Sequence, residues 1–411
     1  MKILAITAFF PPCHKGGYEL RCKDVLQGLR QAGHEILLLS NRCTPKDCQA
    51  NKADSWVYRI LELQQTQANV FSRIWSDNND LIKIQKTIRD FQPDLLYTWH
   101  LQNLSDAIFP FLASLGIPIV HDEGGSEMIY LSRLQERGLY FYKNEQESAI
   151  KRWLKQGIKK YATFISGRRI VPDWDWPEHM WVYFNSHSAL EHAQEMAVPV
   201  GDAVVIPSGV DISKFPFQVR DKISAPVKIV IPTRIKQQKG CKDGILLVDE
   251  LRKRNIPAKL LIIGEVQSKD YYNELVNNTN DLKLNDSVDF RAMVSQEELS
   301  SIYQQADICF FTSYFKTGFS RVPLEAMASG CLVFSYGNEG SSESIKQSET
   351  GFILDEGNIK GAADWIGKLV VDQPFYLGII KNARSCVEQD YSMETYVSQI
   401  ENYLKKCLQN S

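Results

Sequence analysis

The chain has 411 residues, a length that suits two domains of about 200 residues each better than a single core. Its 44% hydrophobic and 23% charged residues exclude a largely disordered protein, and a formal net charge of -2 gives no electrostatic reason to expect a nucleic-acid polymer as main partner. Nine scattered cysteines without paired CxxC ligands argue against a disulfide framework or a structural zinc site, and Cys43 and Cys48, the closest pair, read as free thiols. The N-terminal MKILAIT begins directly on a strand, without a charged region leading into a long apolar run, and no segment approaches a membrane span. A cytoplasmic protein is expected.

Residues 2–7 read as a buried parallel strand, followed by a loop with Pro11, Pro12, Gly16 and Gly17, then a helix over 19–31 closed by Gly33. A second strand at 35–40 completes a βαβ opening. Apolar runs at 94–98, 118–121, 181–184 and 203–206, separated by helix-length stretches, continue the alternation of a doubly wound parallel sheet. This first domain is expected to run over 1–212. The composition turns polar over 215–226, and the alternation restarts at 227–231, 258–263, 288–290, 307–311 and 331–335, giving a second domain over 213–390. An amphipathic helix over 393–408, spaced by Tyr396, Ile400, Tyr403 and Leu404, ends the chain, and the segment 391–411 is expected to join the first domain.

Open α/β sheets place ligands in the loops at the carboxyl ends of their strands, so those loops carry the candidate residues. Gly16 and Gly17 serve either a turn with positive φ or the close approach of backbone amides to an anion at a helix N-terminus. PIVHDEGG sets His121 and Asp122 at a strand's end, where the histidine either hydrogen-bonds a substrate hydroxyl or fills the loop. In IPTRIKQQKG, Arg234 follows a strand and Lys239 precedes a helix; two cations beside a helix N-terminus suit a diphosphate and its departure as a leaving group. In TGFSRVPLEAMASG, Gly318 precedes a helix with Pro323 in its first turn and Gly330 as its stop. Glu325 in that first turn is placed either to accept a ribose diol or to stabilise the helix.

Taken in order, these residues resemble glycosyltransferase family 4, retaining enzymes of the GT-B fold. The likeness covers nearly the whole chain and is strongest over 231–354: Arg234 and Lys239, LLIIGE at 260–265, VDF at 288–290, YQQADICFF at 303–311, PLEAMASG, NEGSSESI ending at Ile345, and TGFIL at 350–354. AGHEI at 32–36, PDLLY at 93–97, His121 with Asp122 and VIPSGVD at 205–211 add to it. The resemblance implies two facing Rossmann-like domains with a cleft between them. It implies that Arg234 and Lys239 hold the donor diphosphate, that Glu325 binds ribose, that Gly17 faces phosphates and sugar, and that His121 lies near the reacting sugar. Gly16, Thr317, Gly318, Phe319, Ser320, Arg321 and Val322 complete the implied donor-binding set. The implied donor is a nucleoside-diphosphate sugar, UDP- or GDP-linked, with no cofactor and no metal, and the implied mechanism is front-face attack through an oxocarbenium-like transition state.

The sequence departs from the family pattern at Thr317, where a glutamate that contacts the transferred sugar is usual, and at Ser320, Thr233 and Ser208. The loss at 317 puts the contacts to the donor sugar in question. On the acceptor side, Asp122, Trp174 and Trp176 are candidates. The basic KRWLKQGIKKY stretch, with Trp153, either rests on an anionic membrane surface at the inner face or packs as an ordinary charged helix. Asp173 and Asp175 form a DxD in a Pro- and Trp-rich loop, where no metal site is expected. The acceptor stays open among a glycan, a lipid-linked sugar and a small molecule. The rival readings are a catalytically degenerate nucleotide- or partner-binding protein and a GT-B sugar-nucleotide epimerase.

Overall fold

The computed structural model describes residues 1–13, 16–42, 55–64, 69–140, 148–316 and 318–411. The chain forms two compact units, one of Met1–Ile206 with Val397–Ser411 and one of Pro207–Tyr396. In the first, strands β1 (Lys2–Ile6), β2 (Glu35–Asn41), β3 (Val57–Leu61), β4 (Leu95–Thr98), β5 (Ile119–Glu123), β6 (Met180–Phe184) and β7 (Val204–Val205) make one sheet. Its order is β3-β2-β1-β4-β5-β6-β7, with every neighbouring pair parallel. In the second, β8 (Val227–Pro232), β9 (Ala258–Ile263), β10 (Val288–Arg291), β11 (Ile308–Phe311), β12 (Leu332–Ser335) and β13 (Phe352–Ile353) run β10-β9-β8-β11-β12-β13, again all parallel. Both are Rossmann orders, and each reverses direction beside its first strand, at β1/β4 and at β8/β11.

The apolar runs become central strands because helices cover both faces of a parallel sheet, so both faces must be hydrophobic. Leu4 and Ile6 of β1 and Ile229 and Ile231 of β8 sit in the two main cores, whereas Val230 faces a second core layer with Met327 and Val333. The last helix, Met393–Gln409, reaches the first unit through Tyr403, whose hydroxyl donates to the Val182 carbonyl at 3.0 Å, and through a 3.0 Å contact between His34 Nε2 and Glu401.

Three local differences from the expected elements have physical causes. Strand β3 lies outside the expected set, because VYRIL is only partly buried and carries an arginine; its pairing with β2 supplies what its composition does not. Strand β5 runs two residues past His121, to Glu123, because Asp122 and Glu123 pair with Tyr183 and Phe184 of β6 and their charges find partners inside the protein. Cys13 is disulfide-bonded, although the cysteine spacing argues against a disulfide framework, since pairing depends on tertiary proximity rather than on spacing in sequence. Cys22, Cys241, Cys309, Cys331, Cys386 and Cys407 are free. Cys43 and Cys48 lie outside the described residues.

Candidate functional site

In the first unit, the helix Gly17–Gln31 starts directly after the β1 loop, and the Gly16 amide donates to Glu19 Oε2 at 2.9 Å. Neither Gly16 nor Gly17 has positive φ, and a Cβ on either would meet nothing within 4 Å. The glycines therefore leave open space before a helix N-terminus and do not serve a turn. His121 lies inside β5, fully buried, with Nδ1 2.9 Å from Thr98 Oγ1 and Nε2 3.8 Å from Glu123 Oε2. Asp122 points to the other side, where its carboxylate pairs with buried Arg21 and its carbonyl accepts from the Tyr18 hydroxyl at 2.8 Å. The Arg21 guanidinium also stacks over Tyr18 and Trp99, at 4.8 and 5.3 Å from the ring centres.

Two further buried carboxylates stand behind His121. Burial raises the Glu123 carboxyl, but His121 and the amides of Met128 and Gly125 outweigh it and hold Glu123 below its usual range. Burial and the Glu123 charge push Glu127 well above its usual range, although Glu127 accepts from the amides of Leu101 and Gln102. Trp174 is a core residue, packed edge-on to Phe109 and Trp176, both at ring distances near 5.2 Å. Trp176 is partly buried against the same core, and Asp173 is held by Lys159 at 2.7 Å. Among the described residues no group of three or more His, Cys, Asp or Glu is arranged to hold a metal ion.

In the second unit, three loops at carboxyl strand ends beside the β8/β11 switch point meet in one cluster. After β8 come Thr233, Arg234 and Lys236, then a 3-10 turn Gln237–Lys239 and the helix Cys241–Lys253. Gly240 joins turn to helix at φ 63°, and a Cβ there would lie 2.3 Å from the Thr312 carbonyl, so only glycine lets the two loops touch. The Thr312 hydroxyl donates to the Lys239 carbonyl at 2.8 Å, which fixes Lys239 above β11. The Lys239 ammonium donates to Glu339 and, at 3.2 Å, to Ser313 Oγ. Lys236 lies 4.5 Å from the centre of the Phe315 ring and Lys239 lies 5.0 Å from it. Partial burial and the charges of Arg234 and Lys239 push the Lys236 ammonium down. Arg234 and Lys239 therefore both lie close enough to Lys236 for their charges to add to the effect of burial. Arg234 is exposed and makes no ion pair or hydrogen bond among the described residues.

The loop after β11 leads through Gly318, at φ 100°, to the helix Val322–Ser329, which has proline in its first turn and ends at Gly330. Phe319 and Val322 pack on the core layer beside that helix, and Ser320 Oγ accepts from the Val322 amide at 3.4 Å. Glu325 is buried, 3.6 Å from Arg321 Nε. Burial and the Glu325 charge keep the Tyr303 hydroxyl protonated, well above its usual range. Thr317 lies outside the described residues. The loop after β12 is laced to the others: Asn338 Nδ2 donates to the Ser313 carbonyl at 2.9 Å and the Gly340 amide to the Gly318 carbonyl at 2.8 Å. The structure thus brings Arg234 and Lys239 together, and it adds Lys236, Ser313 and Glu339, which stand outside the candidates drawn from sequence.

Two family models match this chain: "Glycosyltransferase Family 4" over residues 15–167 and "Glycosyl transferases group 1" over residues 215–386. Together they span more than half of it. The chain belongs to glycosyltransferase family 4. This family 4 protein is 20% identical to glycogen synthase from Mycobacterium tuberculosis over 418 residues, 96% of the chain and 92% of the relative. Among solved structures it is similar to sucrose-phosphate synthase from Thermosynechococcus elongatus, with TM-score 0.72, 18% identity and full coverage of both chains. It is also similar to Anabaena HepE in complex with UDP, with TM-score 0.69, 19% identity, and coverage of 99% and 100%. These likenesses, with the two parallel sheets, show the GT-B fold. This glycosyltransferase has no described helix long and apolar enough to cross a membrane.

Of the three added residues, Lys236 is open to detection, since it shares one short loop with Arg234 and Lys239. Glu339 lies in the NEGSSESI stretch that carries the family resemblance, but its contact with Lys239 comes from 100 residues away, and Ser313 carries no signal of its own.

Proposed function

We propose that this glycosyltransferase transfers a hexosyl group with retention from a UDP-linked donor to an acceptor hydroxyl. The observation that carries the proposal is the cluster of Arg234, Lys236 and Lys239 at the carboxyl end of β8, beside a helix start, with the buried Glu325 in the first turn of the helix that follows β11. Three cations at a Rossmann switch point match a diphosphate that gains charge as it leaves. In the proposed step the bond from the anomeric carbon to the diphosphate oxygen breaks and the bond to the acceptor oxygen forms on the same face. The acceptor proton passes to the departing phosphate, and the cations hold the nucleoside diphosphate. The Anabaena neighbour bound to UDP and to UDP-glucose supports uridine as the base, and the name of the mycobacterial relative supports a glycan acceptor. Arg321 would give up part of its hold on Glu325 so that the carboxylate accepts a ribose diol. His121 would act on turnover rather than on nucleotide binding.

A peripheral membrane contact is the second part of the proposal. The helix Ala149–Ile165 leaves Trp153 72% and Phe164 84% exposed, and Trp75 on the neighbouring helix Val70–Phe91 is 65% exposed. Lys151, Arg152, Lys155 and Lys160 share the first of these helices. An aromatic face among lysines suits an anionic lipid surface. Co-sedimentation with phosphatidylglycerol vesicles at low salt tests this part, and a protein that stays in the supernatant removes it.

The donor reading is tested by thermal shift with UDP, GDP, ADP and their sugars in the presence of a chelator. Selective stabilisation by the uridine series is expected. A folded protein that responds to no diphosphate at millimolar concentration would overturn the reading and favour a degenerate binding protein.

A further inference from the structure

Glu339 has a backbone conformation of φ 63° and ψ 148°, a region that only glycine occupies without strain. Its side chain is nonetheless buried, and its carboxylate accepts from both the Lys239 ammonium and the Ser313 hydroxyl. The fold gains nothing here that glycine would not provide with less strain. The loop path is already held by Asn338 on the Ser313 carbonyl and by the Gly340 amide on the Gly318 carbonyl. A strained, buried acid placed against the buried cation of an anion site also weakens that site for phosphate, since it cancels part of the positive charge. Strain and charge therefore both run against a purely structural or phosphate-binding role.

We infer that Glu339 is the carboxylate that receives hydroxyl groups of the transferred sugar, and that it sets which hexose this chain accepts. The inference rests on the donor-site reading given above. A carboxylate has about four acceptor positions, and Lys239 and Ser313 engage one oxygen, Oε1. Among the described residues nothing engages the second oxygen, which is left to accept from a sugar hydroxyl. The shared contact with Lys239 places that acceptor next to the diphosphate, where the first atoms of the sugar must lie. Lys239 has three N–H donors, so it can hold Glu339, Ser313 and a phosphate oxygen at once. Glu339 then orients the sugar relative to the diphosphate without leaving its own partners, and it supplies a carboxylate that Thr317 does not.

The experiment measures binding of UDP, UDP-glucose, UDP-galactose and UDP-N-acetylglucosamine, and of GDP and GDP-mannose, to the wild-type chain and to the Glu339→Gln and Glu339→Gly variants. Glutamine keeps an acceptor for Lys239 while removing the charge, and glycine suits the backbone; thermal unfolding confirms that each variant is folded. The wild type is expected to favour one hexosyl donor over its epimers, and both variants to lose that preference by about tenfold or more while binding the free diphosphate as well as the wild type or better. A preference that survives both substitutions overturns the assignment. So does a parallel loss of free diphosphate and sugar donors, which would make Glu339 a support for Lys239 only. If the wild type binds no diphosphate at all, the donor-site reading itself fails, and this inference with it.

Discussion

The two units share one topology and use its carboxyl-end loops in opposite ways. In the first, charged groups behind those loops are consumed internally: Asp122 by Arg21, Glu123 by amides of its own loop, Glu127 by the amides of Leu101 and Gln102. In the second, Lys239 holds the buried Glu339, Lys236 lies close enough to Lys239 and Arg234 to feel their charges, and Arg234 stays exposed. A site whose charges are already balanced is a scaffold, whereas one with surplus charge of a single sign is poised for a counter-charged ligand.

The comparison is sharpest where each unit is deprived of its central cation. Arg21→Met should destabilise the protein by about 3–5 kcal/mol, because it leaves the buried Asp122 carboxylate without its cation. Denaturant unfolding measures this, and a loss below about 1 kcal/mol would show that the first unit does not depend on the pair. Arg234→Ala, at an exposed side chain, should instead leave folding intact and reduce transfer by about 100- to 1000-fold, the effect of removing charge that meets a leaving group. Lys239→Ala should reduce transfer as much but also cost stability, because it leaves the buried Glu339 without its cation. Near-normal turnover in both would remove the diphosphate role. Glu325→Gln should weaken nucleotide binding by about 1.5–3 kcal/mol, read by calorimetry, if its carboxylate accepts from ribose. Unchanged affinity would return Glu325 to helix stabilisation.

A smaller effect concerns Asp77 of the first unit. Burial raises its carboxyl to about 6, against hydrogen bonds from Ser105 and Tyr140 that lower it. The folded chain then holds this proton more tightly than the unfolded one, so stability declines as pH rises from about 4 to about 6 and levels off above. Asp77→Asn should remove that slope and raise stability at pH 7 by roughly 2 kcal/mol, as Tyr140 retains an acceptor. Melting curves at pH 4.5 and 7 decide it, and a variant with the wild-type slope would show that Asp77 is ionised throughout. The smallest effect is expected from His121→Ala, about 1 kcal/mol in turnover with little change in nucleotide affinity. The reverse pattern would assign His121 to binding or to the fold.

Much of the architecture is legible in the order of the residues alone. Central strands of a doubly wound sheet are apolar on both faces, so β1, β8 and β11 announce themselves as short hydrophobic runs, and glycine and proline mark the loops between them. The half-exposed β3 and the charged end of β5 are not legible in this way, because their strand character comes from neighbours and not from their own residues. Arg234, Lys239 and Glu325 are visible because each stands in a short loop or first helical turn with a chemical pattern of its own.

By itself, then, the sequence determined the alternation of strands and helices, the two Rossmann units and the loops in which ligand-binding residues sit, all of which depend on local pattern and burial. Only the tertiary structure decided which of those residues are already satisfied. Asp122 is a candidate ligand by its position at a strand end, but folding sets Arg21, 101 residues away, against it, and Trp174 is withdrawn into the core. Glu339 is one acid in a glycine-rich stretch until folding sets it against Lys239. Charge pairing and burial are properties of neighbours in space, and a chain that brings distant residues together conceals them from any reading along its length.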